Sequence, residues 1–201
     1  AEFHFDRYKP VLSPKLHKES AIPGSGLLHD LGPHLIDQAL VLFGFPGSLF
    51  GFLKTVRPGS MVNDYFDLYL FYKTFSVRLK AGLMVMGTNP AYILNGKSGS
   101  FTKPRADIQE DVLKAGLKPG SKDWGKEPGS GSGTLFSDNK GQITNTSIQS
   151  LNGNYMEYYD GLFDSIVLGK FLPVRAQEGL NIMRVIEAAQ QSDQLKKVIY
   201  F

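Results

Sequence analysis

The spacing of apolar residues changes period several times along this chain, and each change marks an element. Phe3 to Tyr8 alternates and predicts a strand, ended by Lys9-Pro10. Val11 to Ser25 is a polar, proline-containing loop. From Asp30 to Gly44 the period lengthens to that of a helix. At about 100° per residue, Leu31, Leu35, Ile36, Ala39, Leu40, Leu42 and Phe43 share one broad arc, and Asp30, His34, Asp37 and Val41 fall opposite it. Pro33 lacks an N–H and is expected to disturb the first turn, while Gly44 and Pro46 suit the helix end. Ser48 to Arg57 predicts a strand and Asn63 to Lys73 a clearer one, with Phe66, Leu68, Leu70 and Tyr72 on one face. After a short turn, Phe75 to Met86 places Phe75, Val77, Leu79, Ala81, Leu83 and Val85 together, which predicts an antiparallel meander.

Further on, Ala91 to Asn95 and Ser100 to Lys103 are short strands around a glycine turn, and Ile108 to Ala115 is a short helix. Gly116 to Gly133 is a Gly-, Ser- and Pro-rich loop holding the only tryptophan, Trp124. Thr134 to Phe136 and Gln142 to Gln149 predict a last hairpin. Two helices follow. Asn154 to Leu168 is expected to bury Tyr155, Tyr158 or Tyr159, Leu162, Phe163 and Ile166; Ala176 to Gln191 is expected to bury Leu180, Met183, Ile186 and Ala189 or Gln190. Val198 to Phe201 is a candidate terminal strand. Adjacent strands followed by helices, rather than alternation, give an α+β layer architecture. The outer faces of the two long central strands are rich in aromatic residues and methionine, so an open sheet face is expected to meet another layer or another copy.

Composition narrows the function classes. The chain has 201 residues, 42% hydrophobic and 20% charged, which is ordinary for a globular protein. The net charge is +3 with scattered lysines and no basic block interleaved with aromatics, so nucleic acid is not an expected partner. No cysteine is present, which excludes disulfides and thiol chemistry. No apolar run approaches the ~18 residues of a membrane span, and no signal pattern is visible where the amino terminus is missing; the cytoplasm is the expected compartment. The chain opens in mid-strand and reads as a piece of something longer. Gly96-Lys97-Ser98 has the wrong spacing for a phosphate loop, because Ala91 stands where the earlier glycine is needed. No strand is followed by a dinucleotide fingerprint, so no cofactor-binding residue is expected here.

One stretch carries candidate chemistry. From Ser20 to Leu53 there is no Lys, Arg or Glu, although a solvated helix face usually has them. Asp30, His34 and Asp37 therefore suit a cleft wall: a carboxylate one turn from an imidazole that works near neutral pH. Arg7 at the strand exit and Asp37 are candidate substrate contacts. His29 lies about 100° around the helix from Asp30 and is expected to matter little. A competing reading makes Asp30, His34 and Asp37 metal ligands, but His4, His17 and His29 lack ligand spacing to His34, and no metal is expected.

The runs E-F-H-F-D-R-Y-K-P and P-G-S-G-L-L-H-D-L-G-P-H-L-I-D-Q-A-L-V-L-F-G-F-P resemble the carboxyl-terminal domain of the glucose–fructose oxidoreductase, inositol dehydrogenase and rhizopine-catabolism (Gfo/Idh/MocA) family. Y-M-E-Y-Y-D-G-L-F-D and L-P-V-R-A-Q-E-G-L-N-I-M-R-V-I-E-A-A resemble its closing helices. The resemblance implies an open, mainly antiparallel sheet with helices packed on one face, as in dihydrodipicolinate reductase. Residues 1–201 would then be a single substrate-binding and oligomerisation domain of a longer two-domain oxidoreductase. It implies a missing amino-terminal Rossmann domain that binds NAD or NADP, a polyol or sugar substrate, and self-association through the open sheet. It also implies that His34 exchanges a proton with the substrate hydroxyl while Asp30 orients it. The family's Glu-Lys-Pro lysine has no counterpart here, since Tyr8 precedes Lys9-Pro10, and its glycine triplet reads Gly24-Ser25-Gly26. The chain alone is expected to fold without cofactor or activity; the alternative is a non-enzymatic sugar-recognition and dimerisation module.

Overall fold

The computed structural model describes residues 1–201, apart from the side chains of Leu16 and His17. In chain order the elements are β1 (Glu2–His4), α1 (Leu16–Glu19), α2 (Leu27–Asp30), α3 (Gly32–Phe43), β2 (Ser48–Lys54), β3 (Tyr65–Phe71), β4 (Ser76–Gly82), β5 (Tyr92–Asn95), β6 (Gly99–Lys103), α4 (Gln109–Lys114), β7 (Gly133–Asn139), β8 (Gln142–Ile148), α5 (Met156–Leu168), α6 (Ala176–Leu195) and β9 (Ile199–Tyr200). They fall into two compact units, Ala1–Leu94 with Gln177–Phe201, and Asn95–Ala176.

The first unit is an α+β layer whose strands run β5-β1-β4-β3-β2-β9. All neighbours are antiparallel except β1 and β4. The meander β2-β3-β4 forms as its alternation demands. Phe66, Leu68 and Leu70 stand opposite Ala81, Leu79 and Val77, and all six are fully buried. Leu28, Leu35, Ile36 and Ala39 from α2 and α3, with Val185, Ile186 and Ala189 from α6, join them in one core. A buried leucine of this kind stabilises by about 1.5–3 kcal/mol, so each of these elements is held mainly by its apolar face. Leu42, expected on that face, is exposed. The first strand is shorter than its alternation suggests, although Phe5 and Arg7 continue to donate their N–H groups to Lys80 and Gly82 of β4.

Helix α6 buries Ile186 and Ala189 as predicted, but not the two apolar residues expected in its first half. Val185, Ile186, Ala188, Ala189 and Ser192 are buried, whereas Leu180 and Met183 are exposed. The reason is a close crossing over β2. A Cβ on Gly51 would lie 2.6 Å from the Ala189 carbonyl oxygen, so only glycine admits the helix there. The Gly51 N–H donates to Ser192 Oγ at 2.9 Å and the Leu53 N–H to Asp193 Oδ1 at 3.1 Å. These side chains satisfy β2 backbone groups that β9, paired only at Ser48 and Leu49, does not reach.

The second unit carries the strand order β6-β7-β8, all antiparallel. Gly96 bonds Gly99 in the turn before β6, as the hairpin reading requires. The loop holding Trp124 is anchored: Gln109 Oε1 accepts from Trp124 Nε1 at 3.0 Å and from the Tyr155 N–H at 2.9 Å. Helix α5 forms where its pattern predicts and ends at Gly169 in the left-handed region, but it buries none of its residues. Tyr158, Tyr159, Phe163 and Ile166 are 46, 59, 60 and 75% exposed. A periodic stripe says which face of a helix is apolar, not that a partner covers it.

Candidate functional site

The Gly24-Ser25-Gly26 turn sets the direction of α2. Gly24 and Gly26 take φ of 83° and 90°, and Ser25 is tied by its hydroxyl, whose one proton is shared between the Ser20 and Ile22 carbonyls. Gly26 cannot be replaced freely, because a Cβ there would lie 2.7 Å from Asn63 Nδ2. That close approach lets Asn63 cap the helix from across the fold. Its carbonyl accepts from the Leu27 N–H at 2.7 Å and its Oδ1 from the Leu28 N–H at 2.9 Å.

The predicted single helix is two. Helix α2 ends at Asp30, Leu31 forms the junction, and α3 starts at Gly32 with Pro33 in its first turn. Pro33 cannot donate to the His29 carbonyl, so the helical hydrogen-bond ladder is interrupted there. A cavity of about 540 Å³ lies beside α2, lined by Arg7, Lys9, Lys18, Gly26, His29 and Asp30 among others. This size suits a small-molecule ligand. Of the anticipated site residues, Arg7 and Asp30 line it, and His34 and Asp37 do not. His29, expected off the working face, does.

Asp30 is engaged by a residue that sequence reasoning did not single out. Both its carboxylate oxygens accept from Lys18 Nζ at 2.8 Å, and no hydrogen bond joins it to His34 among the described residues. His34 is exposed on the first turn of α3, with its ring centroid 6.5 Å from that of Phe5. The Arg7 guanidinium lies 4.6 Å from the centroid of the same phenylalanine, within cation–π range. Arg7 and His34 thus share Phe5 as a neighbour. Asp37 is exposed on α3. The His29 Nδ1–H donates to the Ser25 carbonyl at 3.1 Å.

A buried ion network also missed from sequence forms part of this wall. Arg57 donates from Nε to Asp64 at 2.9 Å and from Nη2 to Glu19 at 2.9 Å. Asp64 also accepts from the Val56 and Arg57 N–H groups at 2.6 and 3.0 Å, and Glu19 from the Ser13 N–H at 2.8 Å. The Arg57 and Asp64 side chains are 3% and 1% exposed. The network ties α1 and the loop before it to the β2–β3 connection. The seven-residue spacing of Arg57 and Asp64 around Pro58-Gly59 is a weak signal for the first pair; Glu19 offers none.

Away from the cavity, the outer face of β3 and β4 carries its own charge pair. Arg78 donates to Asp67 from Nε at 2.8 Å and from Nη2 at 2.6 Å, and the hydrogen bond to Asp67 pushes the guanidinium pKa upward. Burial, then the Asp67 charge, raises the Tyr65 hydroxyl. Among the described residues no three His, Asp or Glu side chains come together as a metal ligand set, and no helix is long and apolar enough to cross a membrane.

Residues 4–200 match the family described as "Oxidoreductase family, C-terminal alpha/beta domain". The chain is 37% identical over 195 residues to scyllo-inositol 2-dehydrogenase (NADP(+)) IolW of Bacillus subtilis, covering 97% of this chain and 54% of the relative. It is 34% identical to YdgJ of Escherichia coli, an uncharacterized oxidoreductase, covering 95% of this chain and 54% of that one. The solved structure of yvaA from Bacillus subtilis superposes with a TM-score of 0.95 at 36% identity, covering all of this chain and 57% of the other. YPO2259 from Yersinia pestis gives 0.92 at 38%, with 100% and 56% coverage. The chain spans about half the length of the curated relatives it matches.

Proposed function

Because this chain belongs to the oxidoreductase family whose carboxyl-terminal α/β domain it matches, we propose that it is the substrate-binding and catalytic domain of an NAD(P)-dependent oxidoreductase acting on a sugar, cyclitol or related polyol. The observation that carries this reading is the cavity of about 540 Å³ with Arg7 and Asp30 on its wall, beside a helix whose first turn presents His34. The name of the NADP-linked inositol relative supports a cyclitol as the substrate class.

In this reading His34 takes the proton of the substrate hydroxyl, as a neutral imidazole can near pH 7. Asp30 supports the imidazolium that results, once its pairing with Lys18 is exchanged. Arg7, against Phe5, and Asp37 hold the substrate. Neither of two glycine turns has the strand-to-helix setting of a dinucleotide loop. The Gly24-Ser25-Gly26 turn follows a loop and opens a four-residue helix, and the Gly96–Gly99 turn joins two strands. The cofactor would be held by a Rossmann domain outside this chain. The open sheet face would join two copies, and the enzyme would work in the cytoplasm.

The test is His34→Ala in the full-length parent. A fall in kcat of about 10²–10⁴-fold is expected, the ordinary worth of general acid–base catalysis, with nicotinamide binding and folding retained. Near-parental kcat would remove His34 from the chemistry. The isolated chain should show no heat of binding with NAD or NADP. A parent without turnover whose isolated domain still binds sugars would favour the recognition-module alternative.

A further inference from the structure

We propose that His29 is a specificity-determining residue of this cavity, accepting a hydrogen bond at Nε2 from a hydroxyl of the polyol. The inference rests on reading the cavity as the substrate site. It starts from the bond between His29 Nδ1 and the Ser25 carbonyl oxygen, 3.1 Å apart. A carbonyl oxygen can only accept, so Nδ1 carries the proton. In the neutral ring Nε2 is then the acceptor. The partner that fixes this tautomer is itself fixed, because Ser25 is buried and its hydroxyl is tied to Ser20 and Ile22. The ring lines the same cavity as Asp30 and Arg7, and Nε2 is the polar atom it has left to offer there.

The rest of the wall is rich in donors. Among the described residues, Arg7, Lys9, Lys15, Lys18 and Arg57 line the cavity with Glu19 and Asp30 as its carboxylates. Glu19 is taken by Arg57, and Asp30 by Lys18. A polyol hydroxyl has a proton to donate as well as lone pairs, and a wall of cations satisfies only the lone pairs. His29 adds a neutral acceptor to that wall, in a fixed tautomer and at a fixed place. A substrate without a hydroxyl at that point would leave Nε2 unpaired, which is the kind of mismatch by which polar sites reject analogues.

The experiment uses the full-length parent with its nicotinamide cofactor and a panel of scyllo-inositol, myo-inositol, monodeoxy-inositols and aldohexoses. His29→Phe keeps a planar ring and removes the acceptor. It should raise KM for the best hydroxylated substrate by about 3- to 10-fold, the worth of one hydrogen bond. It should leave kcat within about twofold and the KM of the matching deoxy compound unchanged. His29→Gln, which can accept, should recover part of the loss. An unaltered ratio of kcat/KM between hydroxylated and deoxy substrates in His29→Phe overturns the assignment while leaving the substrate site in place. Absence of turnover on the whole panel by the unmutated parent overturns both.

Discussion

Lys18 Nζ holds both carboxylate oxygens of Asp30 at 2.8 Å, across twelve residues of chain. Each side chain keeps more than a third of its surface in water. An ion pair this exposed contributes little, from nothing to ~1 kcal/mol. Lys18→Met should therefore lower the stability of the isolated chain by less than about 1 kcal/mol in urea denaturation. It should also abolish most salt dependence arising at this site. A loss above about 2 kcal/mol would show that the pair is a structural clamp and not a contact ready to exchange.

Arg57 stands at the opposite limit. Its removal leaves Asp64 and Glu19 without their cation, and Asp64 is almost wholly buried. Breaking a buried pair from one side typically costs about 3–5 kcal/mol. Arg57→Ala should approach that figure by chemical denaturation. Replacing Arg57 and Asp64 together, as Met and Leu, should recover part of the loss, because no buried charge is then stranded between those two. Equal losses in the single and double variants would contradict the network.

Tyr72 gives an alkaline signature. Its hydroxyl donates to the Gly44 carbonyl at 2.9 Å, and burial pushes its pKa up to about 12. An unfolded tyrosine ionises near pH 10. The folded form therefore holds its proton more tightly, so the contribution is fully present below about pH 10 and is lost as pH rises towards 12. Thermal unfolding at pH 9 to 12 should show this fall, and Tyr72→Phe should flatten it. The same slope in both proteins would assign the loss to other groups.

Self-association through the sheet is the fourth expectation. The outer face of β2 and β3 presents Phe50, Phe52, Tyr65, Tyr69 and Phe71, with Phe52 and Phe71 each 36% exposed. A stable homodimer buries roughly 2,000 Å² or more. Sedimentation at micromolar concentration should give a dimer, and Phe52→Asp with Phe71→Asp should give a monomer that remains folded by circular dichroism. A monomer before mutation would remove the sheet as an interface.

The parts of this fold that were legible in sequence are those governed by a short local period. The Phe66-Leu68-Leu70 and Val77-Leu79-Ala81 faces follow from alternation, and both are buried as expected. Within the stretch from Gly24 to His34, the glycine turn leads into α2 beside the cavity, whose wall includes Asp30 and not His34. That placement was not legible. A helical wheel has no way to represent the junction at Leu31, or the reach of Lys18 to Asp30. Pairings such as Arg57 with Glu19, 38 residues apart, leave no periodic trace. The burial of α6 depended on Gly51 admitting a backbone, a fact about β2 and not about the helix.

That crossing sets an order of events during synthesis. The N–H groups of Gly51 and Leu53 wait for Ser192 and Asp193, some 140 positions downstream. Until those residues leave the ribosome, the β2 edge is an open template with its hydrogen-bonding groups exposed. A nascent chain of this sequence therefore carries a sticky strand while the intervening residues are made. Its period of greatest vulnerability to misassembly closes only when α6 emerges and lies across Gly51.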